Sequence, residues 1–418
     1  MNQITASLWG DESFSAVLSM KSIPDIISII ARDTSPPLYN ITEHIWFQIF
    51  GTSEIAIRSL SFLYYLIAIF FVYKIGKYLW DKKTAYLAAV LTFFNPFFFA
   101  YAFEGRMYSI LAATVTASIY FFIRKKWAGY VTATALALYS HHFAIFAVFV
   151  QFLWFIKEYF WGKKRIAISI FKSFIAIGIL YSPWLIPLYN QIRMVGGGFW
   201  LGTPSLKDLL KLLLTYLNVS LVILIVRRWE ENLEKGVFLL SFFLGPILLT
   251  WTVSQKFTSI FFDRYLLYAI PPAMLLAASQ LRKISMVAIY ITLIAFASAS
   301  LFYFFHPVKR PFRELATYVK EVKRGDDLLI NWNASAHHLW EAKYYGIPAP
   351  LYVPADAKLP FYIGTALMTE EDLISVLPKK VNRIGVITSG PVEDVGIPSY
   401  TKKEEKVFGT LKVVWLEK

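Results

Sequence analysis

The sequence contains no cysteine and is poor in charged residues. Without cysteine, disulfide bridges and thiolate metal sites are excluded. Charged residues make up 17% of the 418 positions and hydrophobic ones 57%, whereas a soluble domain has about 25% charged and about 45–50% apolar residues. The sequence also has no Gly-rich phosphate loop, internal repeat or low-complexity tract. This composition argues against a soluble nucleotide-binding enzyme and indicates a membrane protein.

The hydrophobic residues lie in blocks of about twenty, the length of helix that crosses the roughly 30 Å hydrocarbon core of a bilayer. They predict an all-α polytopic membrane protein with about ten transmembrane helices. The predicted spans are 56–77, 84–102, 107–123, 128–140, 143–160, 166–187, 212–226, 236–254, 265–281 and 284–304. Because 212–226 is short and follows the polar SLKDLLK, a helix at the membrane interface is the alternative there.

Basic residues outnumber acidic ones, 42 to 28. They are concentrated in the links that follow alternate spans, which read KYLWDKK, RKKW, WGKKR, RRWEENLEK and RK. Cytoplasmic loops carry such clusters, so these links are assigned to the cytoplasm. Residues 1–55, the other links and the C-terminal tail are then outside. Because the basic residues are concentrated in the predicted cytoplasmic links, the membrane topology explains the positive charge. Nucleic acid is therefore not expected as a partner.

The composition changes at His306. FRELATYVKEVKRG, ASAHHLWEAKYYG and TEEDLISVL predict helices, and DDLLINW, NRIGVITSG and VFGTLKVVWLEK predict strands. The sequence therefore predicts two domains. Residues 1–305 form a transmembrane domain whose first outer loop is 1–55, and residues 306–418 form a small extracytoplasmic α/β domain.

Ionisable residues collect on the predicted outer face. They are Asp11, Glu12, Asp33, Glu104, Arg106, His141, His142, Asp263 and Arg264. Ionisable groups at membrane depth mark functional sites by default, and anchoring at the headgroups is the structural alternative. Arginine holds phosphate oxygens, and a carboxylate can accept the proton of an attacking hydroxyl. The set suits a single inverting displacement of a sugar from an activated, lipid-borne donor.

Five ordered motifs resemble the GT-C membrane glycosyltransferases, nearest to the protein mannosyltransferase and aminoarabinose transferase group. They read LWGDES, DTSPPLYNITEHIWFQIFGTSEIAIRSLS, FEGRMYSILA, ALYSHHFAIF and DRYLLYAIPP. The resemblance is strong over residues 1–160 and patchy to about residue 281. It implies a dolichyl- or undecaprenyl-phosphate sugar as donor and a protein, lipid or glycan as acceptor. It also implies a multi-pass protein of the cell membrane, in contact with membrane lipids, with its active site outside.

The resemblance also implies roles for individual residues. Asp11 is the catalytic base or a metal-site residue, and Glu12 and Asp33 are the other catalytic candidates. The candidates for binding the donor phosphate are Arg106, Arg264, His141 and Tyr265, and those supporting them are Glu104, Tyr108 and Tyr139. A divalent metal such as Mg²⁺, Mn²⁺ or Zn²⁺ is the possible cofactor. The spacing of the candidate ligands along the sequence is not diagnostic of any of these metals. The candidate ligands are Asp11, Glu12, Asp33 and His141.

Four of these residues have a structural alternative. Asp33 could cap the following turn instead of binding metal or acceptor. Glu104 and Arg106 could form an ion pair at a helix end, and His141 could simply be hydrogen-bonded at a turn. Among whole-protein functions, a transporter or flippase and a non-catalytic glycan-assembly protein remain as alternatives to the enzyme.

Two departures from the family pattern concern the first loop. Ser35 stands where many relatives have a histidine directly before Pro36 and Pro37. Relatives also begin with a membrane helix ahead of the Asp-Glu pair, and the ten residues before Asp11 cannot cross a bilayer. Two interpretations stay open: the gene start is annotated late and a membrane helix is missing, or the amino terminus is outside and the first loop is less well tethered. The Pro pair forbids a helix through that point, and residues 39–50 are expected to form an amphipathic interfacial helix.

Overall fold

The computed structural model describes residues 2–218, 233–281, 286–332, 337–353, 359–378 and 380–418. The α-helices, in chain order, are α1 (Gly10–Ser19), α2 (Ile23–Ile30), α3 (Leu38–Phe50), α4 (Glu54–Leu79), α5 (Lys82–Phe93), α6 (Pro96–Ala102), α7 (Tyr108–Ile123), α8 (Trp127–Ser140), α9 (Ala144–Trp161), α10 (Lys164–Tyr181), α11 (Leu185–Gly196), α12 (Leu206–Leu217), α13 (Leu233–Ser254), α14 (Ile270–Leu281), α15 (Met286–Phe305), α16 (Phe312–Val322) and α17 (His337–Tyr345). The strands are β1 (Leu328–Asn331), β2 (Leu351–Tyr352), β3 (Leu373–Ile374), β4 (Arg383–Thr388), β5 (Thr401–Phe408) and β6 (Leu411–Glu417). Short 3₁₀ helices occur at Ser182–Trp184, Asp263–Ala269, Phe361–Ile363, Thr365–Leu367, Glu370–Asp372 and Val392–Asp394.

The chain divides into two compact units. The first, here called the mixed unit, comprises Met1–Asp33, Asn40–Ile57 and His306–Lys418. The second, the helical unit, comprises Thr34–Tyr39 and Arg58–Phe305. The boundary before His306 coincides with the predicted one. The first loop, however, lies in the unit of the C-terminal α/β segment, whereas the sequence placed it in the transmembrane domain.

The helical unit follows the predicted order of spans, but fewer helices reach spanning length. By length and composition, five candidate spans are found among the described residues: Glu54–Leu79, Ala144–Trp161, Lys164–Gly196, Leu233–Ser254 and Met286–Phe305. The pair α5 and α6, bent by 66°, gives up to six. Fewer described helices than predicted spans reach this length, because α7, α8 and α14 are shorter than the roughly 20 residues a bilayer requires. The multi-pass helical membrane class itself is confirmed.

Several predicted segments fall wholly or partly outside the described residues. The predicted span 212–226 overlaps α12, which begins after Ser205 within SLKDLLK. The interfacial position of this helix stays a prediction. Residues 219–226 lie beyond the described part. The same is true of most of RRWEENLEK, of the RK link and of residues 334–336 of the predicted ASAHHLWEAKYYG helix.

Buried polar groups join three helices of the helical unit. Gln151 on α9 donates to the hydroxyl of Ser118 on α7 at 2.8 Å and accepts from the Tyr130 hydroxyl of α8 at 2.9 Å. Ser118 also lies 2.7 Å from the Thr134 hydroxyl oxygen of α8. In a lipid bilayer the hydrophobic effect does not favour helix association. Close packing at small residues and hydrogen bonds between helices stabilise the association instead.

The mixed unit contains a six-stranded sheet in the order β3-β2-β1-β4-β6-β5. The first four strands are parallel, and β6 pairs antiparallel with both β4 and β5. Gly385, in the middle of β4, is required for packing because a Cβ there would lie 2.6 Å from Leu329 and 2.7 Å from Trp415. The sheet and its helices confirm the predicted C-terminal α/β fold.

Two details of the C-terminal prediction are wrong. The predicted helix TEEDLISVL is a single 3₁₀ turn at Glu370–Asp372 followed by β3. VFGTLKVVWLEK, predicted as one strand, is the turn and second strand of a hairpin. Phe408 pairs with Leu411 across a two-residue connection in which Gly409 has a φ of +60°, a conformation that glycine adopts without strain.

Apolar contacts explain why the first loop belongs to the mixed unit. Phe14 of α1 meets the ring of Trp340 of α17 edge-on, with centroids 5.3 Å apart. Gly364, at a φ of +88°, lies so close that a Cβ would be 2.6 Å from the Phe14 ring. Aromatic pairs of this kind stabilise beyond their buried area. The pattern of the first loop alone does not reveal these partners, which lie some 330 residues away along the chain.

Polar contacts fix the same segment further. The Arg313 guanidinium donates to the Thr5 carbonyl at 2.6 Å, and the Leu8 backbone N–H donates to the Tyr345 hydroxyl at 2.8 Å. The Tyr345 hydroxyl in turn donates to the Glu54 carboxylate at 3.0 Å. The expectation of a poorly tethered first loop is therefore wrong, because helices α16 and α17 hold it.

Candidate active site

Asp11 and Glu12 occupy the first turn of α1, where the positive end of the helix dipole stabilises carboxylates. Their surroundings differ. Asp11 is partly exposed, whereas Glu12 is fully buried. The Glu12 carboxylate lies 2.8 Å from the Lys309 ammonium and accepts a hydrogen bond of 3.4 Å from the Trp9 backbone N–H. These contacts give Glu12 a structural role at the start of α1 and leave Asp11 as the more accessible acid.

Helix α1 is fastened to α3 by a buried polar group. The Ser19 hydroxyl donates to the Glu43 carboxylate at 2.7 Å, and the Asn40 amide donates to the Ser19 hydroxyl at 3.0 Å. His44 Nδ1 lies 2.9 Å from the Ser19 carbonyl oxygen. The turn that carries Asp11 therefore belongs to a helix that is fixed at both ends.

Asp33 is buried, just after helix α2. Its backbone N–H donates to the Ile30 carbonyl at 3.1 Å. Pro36 and Pro37 follow, and α3 begins directly after them at Leu38, so the predicted break in the helix at the Pro pair is confirmed. The approach of Asp33 to Asp11 stays a prediction, as does the interfacial position of α3.

In the helical unit, four residues form what we call the aromatic–arginine cluster: Arg264, Tyr108, Tyr265 and His141. The Arg264 guanidinium lies 5.5 Å from the Tyr108 ring centroid and 6.0 Å from that of Tyr265. The His141 ring is 4.9 Å from Tyr265 and 6.5 Å from Tyr108. Rings at these distances attract a cation through their quadrupoles, so the cluster holds a positive charge in a place of fixed geometry.

His141 lies in the loop between α8 and α9, outside both helices. Burial holds the pKa of its imidazole well below the usual range, and the nearby charges of His142, Arg106 and Arg264 lower that pKa further. The Phe143 backbone N–H donates to His141 Nδ1 at 3.1 Å. Since Nδ1 accepts, the neutral ring carries its proton on Nε2. His141 is therefore a neutral donor beside two arginines.

Arg106 and Glu104 lie in the turn between α6 and α7. The Arg106 backbone N–H donates to the Glu104 carbonyl at 2.7 Å, and the charge of Arg106 acts on His141 as described. The Glu104 side chain is buried. The turn thus brings a second cation to the aromatic–arginine cluster.

The 3₁₀ segment Asp263–Ala269 carries Arg264 and Tyr265, and two tyrosines hold it. The Tyr216 hydroxyl of α12 donates to the Asp263 carbonyl. The Tyr268 hydroxyl donates to the Phe143 carbonyl at 2.8 Å, which connects this segment to the loop of His141. These bonds explain how residues more than 120 positions apart meet with a fixed orientation.

Tyr139 contacts residues outside the aromatic–arginine cluster. The Tyr139 hydroxyl donates to the Leu180 carbonyl at 3.0 Å, and its ring packs against Tyr181 with centroids 5.1 Å apart. Tyr139 therefore supports the packing of α8 on α10.

His142 belongs to a hydrogen-bonded chain. Its Nε2 lies 2.8 Å from the Gln191 side-chain oxygen, and the Gln191 amide donates to the Ser35 carbonyl at 3.3 Å. Ser35 is the residue that stands in place of the family histidine. In this chain, a glutamine from α11 thus holds the backbone just before the Pro pair.

Metal binding by Asp11, Glu12, Asp33 and His141 stays a prediction. Among the residues that the structure describes, no three His, Asp or Glu side chains are close enough to hold one metal ion. The Lys309 ammonium takes the position beside Glu12 that a cation would occupy. No step is therefore assigned to a metal here.

Sequence reasoning missed Lys309, Gln191 and Arg58. Arg58 is fully buried on α4, and its signal was available, since it is a lone arginine in the apolar run EIAIRSLS. No local sequence pattern indicated a role for Lys309 or Gln191, because the residues that they contact are distant in the sequence.

The comparisons with known proteins agree with this architecture. Residues 34–187 match the family model of dolichyl-phosphate-mannose-protein mannosyltransferases. The crystal structure of apo ArnT from Cupriavidus metallidurans matches with a TM-score of 0.71, at 13% identity, over 99% of this chain and 95% of that one. By its fold and by this family match, the chain is similar to the GT-C membrane glycosyltransferases.

A second structure of ArnT from the same organism, bound to undecaprenyl phosphate, matches this chain with a TM-score of 0.68. It has 13% identity over 99% of this chain and 94% of that one. Among curated proteins no sequence matches. At this identity the structural likeness establishes the fold over nearly the whole chain, and it does not assign the donor or acceptor.

Proposed function

We propose that this protein transfers a sugar from a polyprenyl-phosphate donor to a protein, lipid or glycan acceptor at the outer face of the cell membrane. The observation that carries the proposal is the aromatic–arginine cluster. Arg264 is set among rings, with neutral His141 and the charge of Arg106 close by. Guanidinium groups are suited to phosphate because they offer several fixed donors and stay charged.

The leaving group of such a reaction is a lipid phosphate. Its negative charge grows as the anomeric C–O bond breaks, and cations fixed in advance stabilise that charge without reorganising. In this mechanism Arg264 and Arg106 supply the charge, and His141 donates a hydrogen bond through Nε2. The solved ArnT complex with undecaprenyl phosphate supports a donor of this class.

The acceptor hydroxyl must lose a proton as it attacks the anomeric carbon. Asp11 is assigned as the base because it is partly exposed, whereas the neighbouring Glu12 is fully buried and paired with Lys309. One base and one displacement give inversion at the anomeric carbon. The outer orientation rests on the basic links, which assign the opposite side to the cytoplasm.

The test is transfer by the purified full-length protein from a panel of radiolabelled polyprenyl-phosphate sugars. We expect one or a few donors to be used. Asp11→Asn should then reduce turnover by about 10²–10⁴-fold while donor binding is retained. Asp25→Asn, an exposed acid in the first turn of α2, is the matched control. Lack of transfer from every donor, or full turnover by Asp11→Asn, contradicts the proposal.

A further inference from the structure

The mixed unit contains a serine, a histidine and a glutamate in a connected line. His338 Nδ1 lies 2.7 Å from Glu341 Oε2, and His338 Nε2 lies 3.1 Å from the Ser389 hydroxyl oxygen. His338 and Glu341 are three residues apart on α17, so they share a face of the helix. Ser389 comes from a different element, directly after β4. None of these residues takes part in the proposed sugar transfer.

The two contacts of His338 are compatible with a catalytic proton relay. In that relay an ionised Glu341, which only accepts, receives the hydrogen bond of His338 Nδ1–H. Nε2 of a neutral His338 ring then accepts from the Ser389 O–H. This is the arrangement of an activated nucleophile, in which a base receives the hydroxyl proton and a third group orients the base.

The burial of the three residues follows the same order. His338 and Glu341 are at most 1% exposed, whereas Ser389 is partly exposed. The base and its orienting acid are thus shielded from water, and the hydroxyl is the accessible member.

The position of Ser389 in the sheet is a second, independent indication of a binding site. After β1 the chain continues to β2 on one side of β1, whereas β4 lies on the other side, so the strand order reverses at β1. In open α/β sheets, ligands bind outside the carboxyl ends of the strands at such a switch point. Ser389 follows the carboxyl end of β4, and Asn331, which is opposite Ile387, ends β1.

Asn331 has an unused acceptor at that point. Its side chain is fully buried, and its amide donates to the Ala349 carbonyl at 2.6 Å. Its Oδ1 accepts no hydrogen bond from the residues that the structure describes. A buried acceptor without a partner costs free energy, and a bound donor group would relieve that cost.

We propose that Ser389, His338 and Glu341 form a second catalytic site, which cleaves an acyl ester. The Ser389 oxygen attacks the ester carbonyl carbon while its proton passes to His338 Nε2. The C–O bond to the alcohol breaks, and the alcohol leaves with that proton. Water then attacks the acyl-serine, gives one proton to His338, and releases the carboxylic acid as the serine regains its hydrogen.

The test uses the full-length protein in detergent and a fluorophosphonate probe, which reacts with activated serines. We expect covalent labelling, mapped to Ser389 by peptide mass spectrometry and lost in Ser389→Ala. His338→Gln should slow labelling by about 10²–10⁴-fold, the usual contribution of a general base, and Glu341→Gln should slow it less. Ser375→Ala, at an exposed serine of the same unit, should label at the normal rate.

Three results overturn the proposal. The first is that the wild-type protein stays unlabelled at a saturating probe concentration. The second is that the label is found only on a serine other than Ser389. The third is that folded His338→Gln is labelled at the same rate as the wild type. If His338→Gln does not fold, the wild-type label and its loss in Ser389→Ala decide the matter. Hydrolysis of p-nitrophenyl acetate by the wild type, reduced in Ser389→Ala, is the second readout. Sugar transfer by Ser389→Ala should be unchanged, so this site and the glycosyltransferase proposal can fail separately.

Discussion

Lys309 Nζ lies 2.8 Å from Glu12 Oε2, and the side chains are 7% and 0% exposed, respectively. Glu12 directly follows the proposed base, and Lys309 precedes α16. The pair therefore connects the turn that carries Asp11 to the start of the C-terminal α/β segment. Loss of one partner from a buried pair leaves an uncompensated charge, which typically costs about 3–5 kcal/mol.

Lys309→Met should consequently destabilise the protein by about 3–5 kcal/mol and lower turnover more than donor affinity. Thermal unfolding in detergent and the kcat and KM for the donor are the measurements. The double variant Glu12→Gln/Lys309→Met should recover part of the stability, because no charge remains buried alone. Lys157→Met breaks the exposed pair with Glu234 and should cost at most about 1 kcal/mol. Equal effects of Lys309→Met and Lys157→Met would show that the buried pair has no special role.

Arg264→Ala should weaken binding of a polyprenyl-phosphate sugar by about 10–100-fold, because a charge-assisted hydrogen bond contributes about 1.5–3 kcal/mol. Arg264→Lys should recover only part of this, since lysine keeps the charge and loses the planar fork. Isothermal titration with the donor is the measurement, and exposed Arg193→Ala is the matched control. An unchanged donor affinity in Arg264→Ala would contradict the proposal that Arg264 binds the donor phosphate.

The topology can be tested by thiol labelling, since the chain has no cysteine and each introduced thiol is unique. A membrane-impermeant maleimide should label Gly197→Cys on intact cells. It should label Lys163→Cys only after permeabilisation, because WGKKR is assigned to the cytoplasm. The reverse pattern would invert the predicted orientation of the spans.

Gln191→Leu should loosen the loop before the Pro pair, because it removes both the contact to His142 and the hydrogen bond to the Ser35 carbonyl. We expect a loss of about 1–3 kcal/mol in unfolding free energy, the cost of leaving buried groups unsatisfied. Gln191→Glu keeps an acceptor for His142, but it loses the donor to the Ser35 carbonyl and buries a charge, so it should cost at least as much. Thermal unfolding of both variants against exposed Asn190→Leu checks this, and equal midpoints for Gln191→Leu and Asn190→Leu would contradict it.

Much of the helical unit could be predicted from local patterns. Long apolar runs predicted the positions of α4, α9, α13 and α15, because a bilayer imposes a length and a composition on each helix. Pro36 and Pro37 predicted the break before α3. The number of full spans could not be predicted this way, since a run such as α8 is equally apolar when it is a short buried helix.

The candidate site was partly predictable. Charged residues at the ends of apolar runs identified Arg106, His141 and Arg264, which the structure brings together around Tyr108 and Tyr265. Their individual chemistry was not visible in the sequence. The direction of the His141 pKa shift, for example, follows from burial, which depends on packing.

The sequence by itself determined that this is a polytopic helical membrane protein with a C-terminal α/β segment, because hydrophobic length and strand or helix periodicity are local properties. Only the tertiary structure decided that the first loop belongs to the unit of the α/β segment. It also decided that Glu12 is held by Lys309 and that His338 lies between Glu341 and Ser389. Such contacts join residues far apart along the chain, and their formation depends on packing that no local pattern records.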